Sequence, residues 1–225
     1  LLVFALSRQS RVSTSLGNLA ETESLAREGL RIAETIGDAA DFERGLCYHS
    51  LAGASFLKGD FDAGLEFCEQ ESALMRKIGN IRTLANSLNS IAEIKRLRAE
   101  PAAALPIYEE AIAKARESGS KGTEIMCRSN MGGAMVALGE YGRAEKHLRD
   151  LLEIAIVAKH FLINEMRRFL SEALFFQGKY EEAKEFARLS LEGAIRTNAP
   201  EEIACAWRTL AMIASKSGEN VRFGD

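Results

Sequence analysis

The side chains with the widest chemical repertoire in this 225-residue chain are three histidines and four cysteines. A metal site needs several such ligands brought close by short, regular spacing. His49, His147 and His160 are scattered over different stretches, so no metal site is expected. Cys47, Cys68, Cys127 and Cys205 lie far apart and form no C-x-x-C pair. Each falls in a helical pattern, where a reduced cysteine acts as a small apolar residue, as in a cytoplasmic protein. No G-x-x-x-x-G-K-S/T loop and no G-x-G-x-x-G after a strand is present, so no nucleotide or other cofactor is expected. The carboxylate pairs Glu109-Glu110 and Glu181-Glu182 sit on polar helix faces and read as solvated surface. Nothing in the chain supports nucleophilic or acid–base catalysis, and the expectation is a protein that is not an enzyme.

The cationic runs could instead hold phosphate. Lys95-Arg96-Arg98 closes a helical stretch, where positive charge complements the helix dipole, and Arg167-Arg168 stands in another. Both are flanked by acids, Glu93, Glu100 and Glu165, and the net charge is −3, so no nucleic-acid binding by the chain itself is expected. The apolar opening Leu1–Leu6 is too short to span a bilayer, and no membrane partner is expected. The chain does not begin with Met, which suggests a piece cut from a longer protein.

What must position these residues is helix. Hydrophobic residues make up 47% of the chain and charged ones 27%, with only three prolines. A turn motif recurs as Gly17-Asn18-Leu19, Gly59-Asp60-Phe61, Ala99-Glu100-Pro101, Gly139-Glu140-Tyr141, Gly178-Lys179-Tyr180 and Gly218-Glu219-Asn220. Subtracting successive positions gives intervals of 42, 40, 40, 39 and 40. A second ladder, Gly37, Gly79, Gly119 and Asn198, marks where alternate helices end, since Gly and Asn accept the left-handed conformation. Its missing rung lies near Lys159-His160, where an irregular junction is expected. Between the ladders Leu84, Leu88, Ile91 and Ala92 trace one helix face, and Leu105, Tyr108, Ile112 and Ala115 the next. Each unit is therefore a pair of antiparallel helices, and units must stack to bury their apolar faces. The ranges read 17–37, 38–79, 80–119, 120–159, 160–198 and 199–218, in a single domain over 1–225 with 1–16 as a degenerate or truncated first helix.

These residues resemble the tetratricopeptide repeat. The paired large and small residues of its first helix stand here as Leu51-Ala52, Ile91-Ala92, Met131-Gly132, Leu170-Ser171 and Leu210-Ala211. Its bulky residue just before them is matched by Tyr48, Leu88 and Trp207, but replaced by Arg128 and Arg167. Its second-helix alanine is matched by Ala104, Ala144 and Ala183, with Gly64 in an earlier unit. The period near 40 exceeds the usual repeat of about 34 residues and is similar to the lengthened type in bacterial signalling and transcription regulators. The resemblance implies an all-α solenoid, a right-handed superhelix whose concave groove is lined by the first helix of each unit.

Carried over by position, the groove would present His49, Asn89, Ser129, Arg168 and Arg208, then Gly53, Glu93, Gly133, Glu172 and Met212, then Phe56, Arg96, Val136 and Phe175. Asn89 and Asn130 could pair with the backbone of an extended peptide, or tie neighbouring helices together. Arg96, Arg168 and Arg208 could hold an acidic segment, or pair internally with Glu93, Glu165 and Glu172. Gly53 and Gly133 either open space for a partner or accommodate packing. Among Phe161, Phe169, Phe175 and Phe176 most should be core, with Phe175 or Phe176 an apolar anchor. The implied function is an interaction scaffold for a protein or peptide, the regulatory part of a larger signalling or transcription-regulator protein. The alternatives are a self-association module, a homodimer through exposed ends where Trp207, Leu210 and Ile213 would lie uncovered, or a domain sensing a small effector.

Overall fold

The computed structural model describes residues 1–217, so Gly218-Glu219-Asn220 and the end of the last repeat range lie outside the described residues. Among the described residues there are eleven α-helices and no strand. They are α1 (Leu2–Ser15), α2 (Leu19–Ile36), α3 (Asp41–Lys58), α4 (Phe61–Lys77), α5 (Ile81–Leu97) and α6 (Pro101–Glu117), then α7 (Lys121–Ala137), α8 (Tyr141–Val157), α9 (Ile163–Phe176), α10 (Tyr180–Arg196) and α11 (Pro200–Ser217).

All but one of the described reversals, that between α2 and α3, are made the same way. At the end of α3, Gly59 takes the left-handed conformation and the Asp60 amide donates back to the Ser55 carbonyl at 2.9 Å. The same bond, six residues to one, closes α4, α5, α6, α7, α8, α9 and α10. Two of the following helices are also capped by a side chain, α4 by Asp60, which accepts from the Ala63 amide, and α5 by Asn80, which accepts from the Thr83 amide. Pro101 starts α6, where its missing amide hydrogen costs nothing.

Two departures have local causes. The first interval of both ladders is 42 because a four-residue 3-10 turn, Gly37–Ala40, separates α2 from α3. Lys77 pins that turn from α4, reaching Asp38 at 2.9 Å and the buried Asp41 at 2.8 Å. The hydrogen bond from Lys77 holds the Asp41 carboxyl below its ordinary range against the opposing effect of burial. The second departure is the junction expected to be irregular. Lys159 itself adopts the left-handed conformation, at φ 50°, and Phe161-Leu162 form an extra turn before a shortened, 14-residue α9.

The chain divides into two compact units, Leu1–Glu124 and Ile125 onward, the division falling inside α7. In the first, α1 packs on α2, α3 on α4 and α5 on α6, and each pair contacts the next. One core cluster gathers Val3, Ala26, Ala33, Cys47 and Leu51, and another Ala52, Cys68, Ile91 and Ile94. In the second unit α9 packs against α8, α10 and α11. Small residues let the helices approach: a methyl on Gly132 would lie 2.5 Å from the Leu148 side chain. Leu210 and Ile213 of α11 are buried, contrary to the expectation that they would lie bare. Trp207 is half-buried.

Ala99 stands at a rung of the turn ladder with φ 61°, where its methyl group is strained and a glycine would not be. Ala99→Gly is expected to raise unfolding stability by about 1 kcal/mol, and Gly59→Ala to lower it by about the same. Denaturant titration followed by helical circular dichroism checks both, and equal midpoints for all three proteins would refute the strain.

Candidate functional site

An apolar hollow of the first unit lies across the first helices of three successive pairs. It has a volume of about 360 Å³. Thr14 comes from α1, His49, Ala52, Gly53, Phe56 and Leu57 from α3, Cys68 from α4, and Asn89, Ser90, Glu93 and Ile94 from α5. Five of the expected groove residues, His49, Gly53, Phe56, Asn89 and Glu93, therefore meet at one site. The helical register brings them there: Asn89 and Glu93 are one turn apart on α5, and His49 stands one full repeat period before Asn89.

The polar wall is held from behind. Arg96 donates to both oxygens of Glu93, one of them at 3.0 Å, and the buried Tyr108 of α6 donates its hydroxyl to Glu93 at 2.7 Å. Burial first, then the neighbouring Glu93 charge, push the Tyr108 phenol upward, so it remains a donor. Arg96 thus pairs with its own helix. On the opposite side His49 Nδ1 lies 3.3 Å from Glu71 of α4. Glu71 is only 1% exposed, and its Oε1 has no hydrogen bond. The hydrogen bond to Glu71 raises the His49 pKa, while burial and the charge of Arg11 oppose it. The Cys68 thiol is driven up to about 12 by burial and the nearby Glu71 and Glu69, so it stays protonated and inert.

Arg168, Glu172 and Arg208 meet in the second unit. Arg168 lies 3.0 Å from Glu172 and 3.5 Å from Glu165, with its guanidinium over the Phe169 ring at 4.2 Å. Arg208 lies 3.6 Å from the same Glu172. Their charges are turned inward on one another. A smaller hollow of about 260 Å³ is lined there by Asn164, Glu165, Arg168 and residues of α10 and α11.

Other expected positions do not face open space. Ser129 is fully buried and Asn130 nearly so, because α7 is covered on that side. Phe175 is buried against Phe176 and Tyr180, and is no exposed anchor. Phe176 is half-exposed and stacks on Tyr141, while Phe161, 72% exposed, lies in the extra turn beside His160. A methyl on Gly133 would meet the Phe169 ring at 2.6 Å, so that glycine accommodates packing. Arg167, in place of the bulky residue, bonds the Leu189 carbonyl of α10.

Thr14, Ser90 and Glu71 were not singled out from sequence. For Glu71 a signal existed: Gly64, Cys68 and Met75 define the buried face of α4, and Glu71 falls on it. No group of three or more His, Cys, Asp or Glu among the described residues could hold a metal ion, and no described helix is long and apolar enough to cross a membrane.

Residues 83–156 match the family model of the tetratricopeptide repeat. They are tetratricopeptide repeats. The helix pairs outside them share the fold of solved tetratricopeptide-type proteins. The apo form of RapI is 16% identical, with a TM-score of 0.78 over 97% of this chain and 85% of that one. A Rap protein complexed with competence and sporulation factor is 14% identical, with a TM-score of 0.66 over 96% and 64%. A signal transduction ATPase with numerous domains from Pyrococcus horikoshii, which has a tetratricopeptide repeat sensor, is 19% identical, with a TM-score of 0.74. There the match covers 96% of this chain but 33% of the ATPase. No curated protein matches by sequence.

The His49–Glu71 pair makes stability depend on pH. A raised folded-state pKa means the pair's contribution is complete below the ordinary imidazole value, about 6.5, and disappears as pH rises through the raised one. Urea midpoints from about pH 6 to about pH 9 should fall more steeply for the wild type than for His49→Gln. Parallel profiles would exclude the pair as the cause.

Proposed function

We propose that this repeat protein is an interaction scaffold that holds a protein or peptide segment in the groove across α1, α3 and α5. The reading rests on one observation: three successive first helices leave an apolar hollow open, bordered by the imidazole, amide and carboxylate of His49, Asn89 and Glu93. Concave apolar sites with a few convergent polar groups are where ligands bind. The arginines expected to hold an acidic partner are engaged by Glu93, Glu165 and Glu172, which argues against a basic clamp.

The neighbours support the wider setting. The Rap protein is solved with a competence and sporulation factor, and the ATPase uses its repeats as a sensor. This array would serve likewise as the cytoplasmic, non-enzymatic regulatory part of a larger signalling or transcription-regulator protein. It would need no cofactor, nucleic acid or membrane.

A photo-crosslinking amino acid placed at Leu57, on the rim of the hollow, and at Glu66, exposed on α4, tests the groove in a source-cell extract. One heterologous adduct from position 57 and none from 66 is the expected result. Equal adducts from both would refute a groove site. A covalent homodimer from position 57, with a dimer mass by light scattering, would replace the scaffold by self-association.

A further inference from the structure

The two units treat one and the same place differently. Gly53 and Gly133 each lie six residues before a turn residue, Gly59 and Gly139. The residue that faces each glycine from the next first helix stands nine before its own turn: Ser90 before Ala99, Phe169 before Gly178. In the second unit the Phe169 ring presses on Gly133 and is buried. In the first unit Ser90 is small, the side chain nearest a methyl on Gly53 is Thr14 at 3.3 Å, and the hollow remains. The void is thus the place that an aromatic ring occupies elsewhere in the same chain.

Its walls suit such a ring and no charge. Phe56, Leu57, Ala52 and Ile94 are apolar, and Phe56 is fixed edge-on by Phe61 at 5.8 Å. Glu93, the carboxylate that lines it, is already engaged by Arg96 and Tyr108, and Glu71, bonded to His49 but with Oε1 unbonded, does not line the hollow. A charged side chain entering would give up its water for no unspent counter-charge.

We propose that the hollow between α1, α3 and α5 receives one uncharged aromatic side chain of the bound segment, seated over Gly53 as Phe169 is seated over Gly133. The inference rests on the groove reading and names the anchor that the groove selects. The partner's ring would lie between Phe56 and Ile94, with the half-exposed His49 at the mouth beside its flanking backbone.

The probes are three small disulfides that exchange with a cysteine placed at Thr14→Cys, in a Cys205→Ser background. One transfers 2-phenylethanethiol, one cysteamine and one 3-mercaptopropionate. The remaining cysteines, Cys47, Cys68 and Cys127, are buried. The reductant concentration that strips half the label, read by mass spectrometry, ranks the three. The phenylethyl label should withstand about 10-fold more reductant than either charged one. A cysteine at Glu66→Cys should show no preference. Ser90→Phe, which supplies the ring from within, should abolish the preference at position 14, and so should Phe56→Ala, which removes a wall but leaves the helices intact. A charged label as durable as the phenylethyl one would overturn the proposal, as would a preference that survives both variants. No partner is used in this measurement. A preference without a crosslink from position 57 would sink the groove function alone, and a crosslink without a preference the aromatic anchor alone.

Discussion

The array depends on a single backbone constraint: at every described reversal except that between α2 and α3, one residue turns left-handed so that two carbonyls of the finished helix are satisfied. That reversal takes only a few residues, which forces the next helix to lie antiparallel and in contact. Because the turn is nearly the same each time, helices of similar length return the same face once in every period. Side chains that share a place in this period share a place on the first helices. The site in the first unit follows from that, since a position on α3 and the one a full period later on α5 end up side by side.

Close stacking demands small residues, and how each gap is filled then decides what a repeat can do. Gly132 and Gly133 are packed shut by Leu148 and Phe169. Gly53 is not, and a hollow follows. Polar groups placed against such surfaces must find partners or weaken the fold, because a buried unpaired group costs about 1–3 kcal/mol. Glu93 finds Arg96 and Tyr108, and Ser171 donates to the Ala183 carbonyl. Glu71, with one oxygen unbonded, is one exception, next to a residue that lines the hollow, and the buried Ser129 hydroxyl is another.

The charged residues follow the same logic. Arg168, Glu172 and Arg208 form a network on one face of the second unit, with Glu165 adding to it. Arg168 and Glu172 are each only 14% exposed, so theirs is a shielded pair and not a loose surface one. Their larger effect is on recognition, because a guanidinium already facing a carboxylate offers little to a second one. The arginines that invite an acidic partner on paper are, in the fold, mostly occupied.

The sequence by itself determined the helices, their ends and their pairing, because these depend on local chemistry: Gly or Asn where φ must be positive, Asp or Asn at a cap, and apolar residues at intervals of three and four. Even the weak junction near Lys159 was legible from the missing glycine. It could not show that Lys159 would accept the strained conformation and displace the start of α9. The same period brings His49, Asn89 and Glu93 to one hollow. At the equivalent rungs Ser129 and Phe175 are buried and line no such hollow. Exposure at a given rung depends on the bulk of the residue facing it from the next helix, Ser90 in one case and Phe169 in the other. That contact joins residues nearly a full period apart, and only tertiary packing decides whether it closes the surface or leaves a pocket.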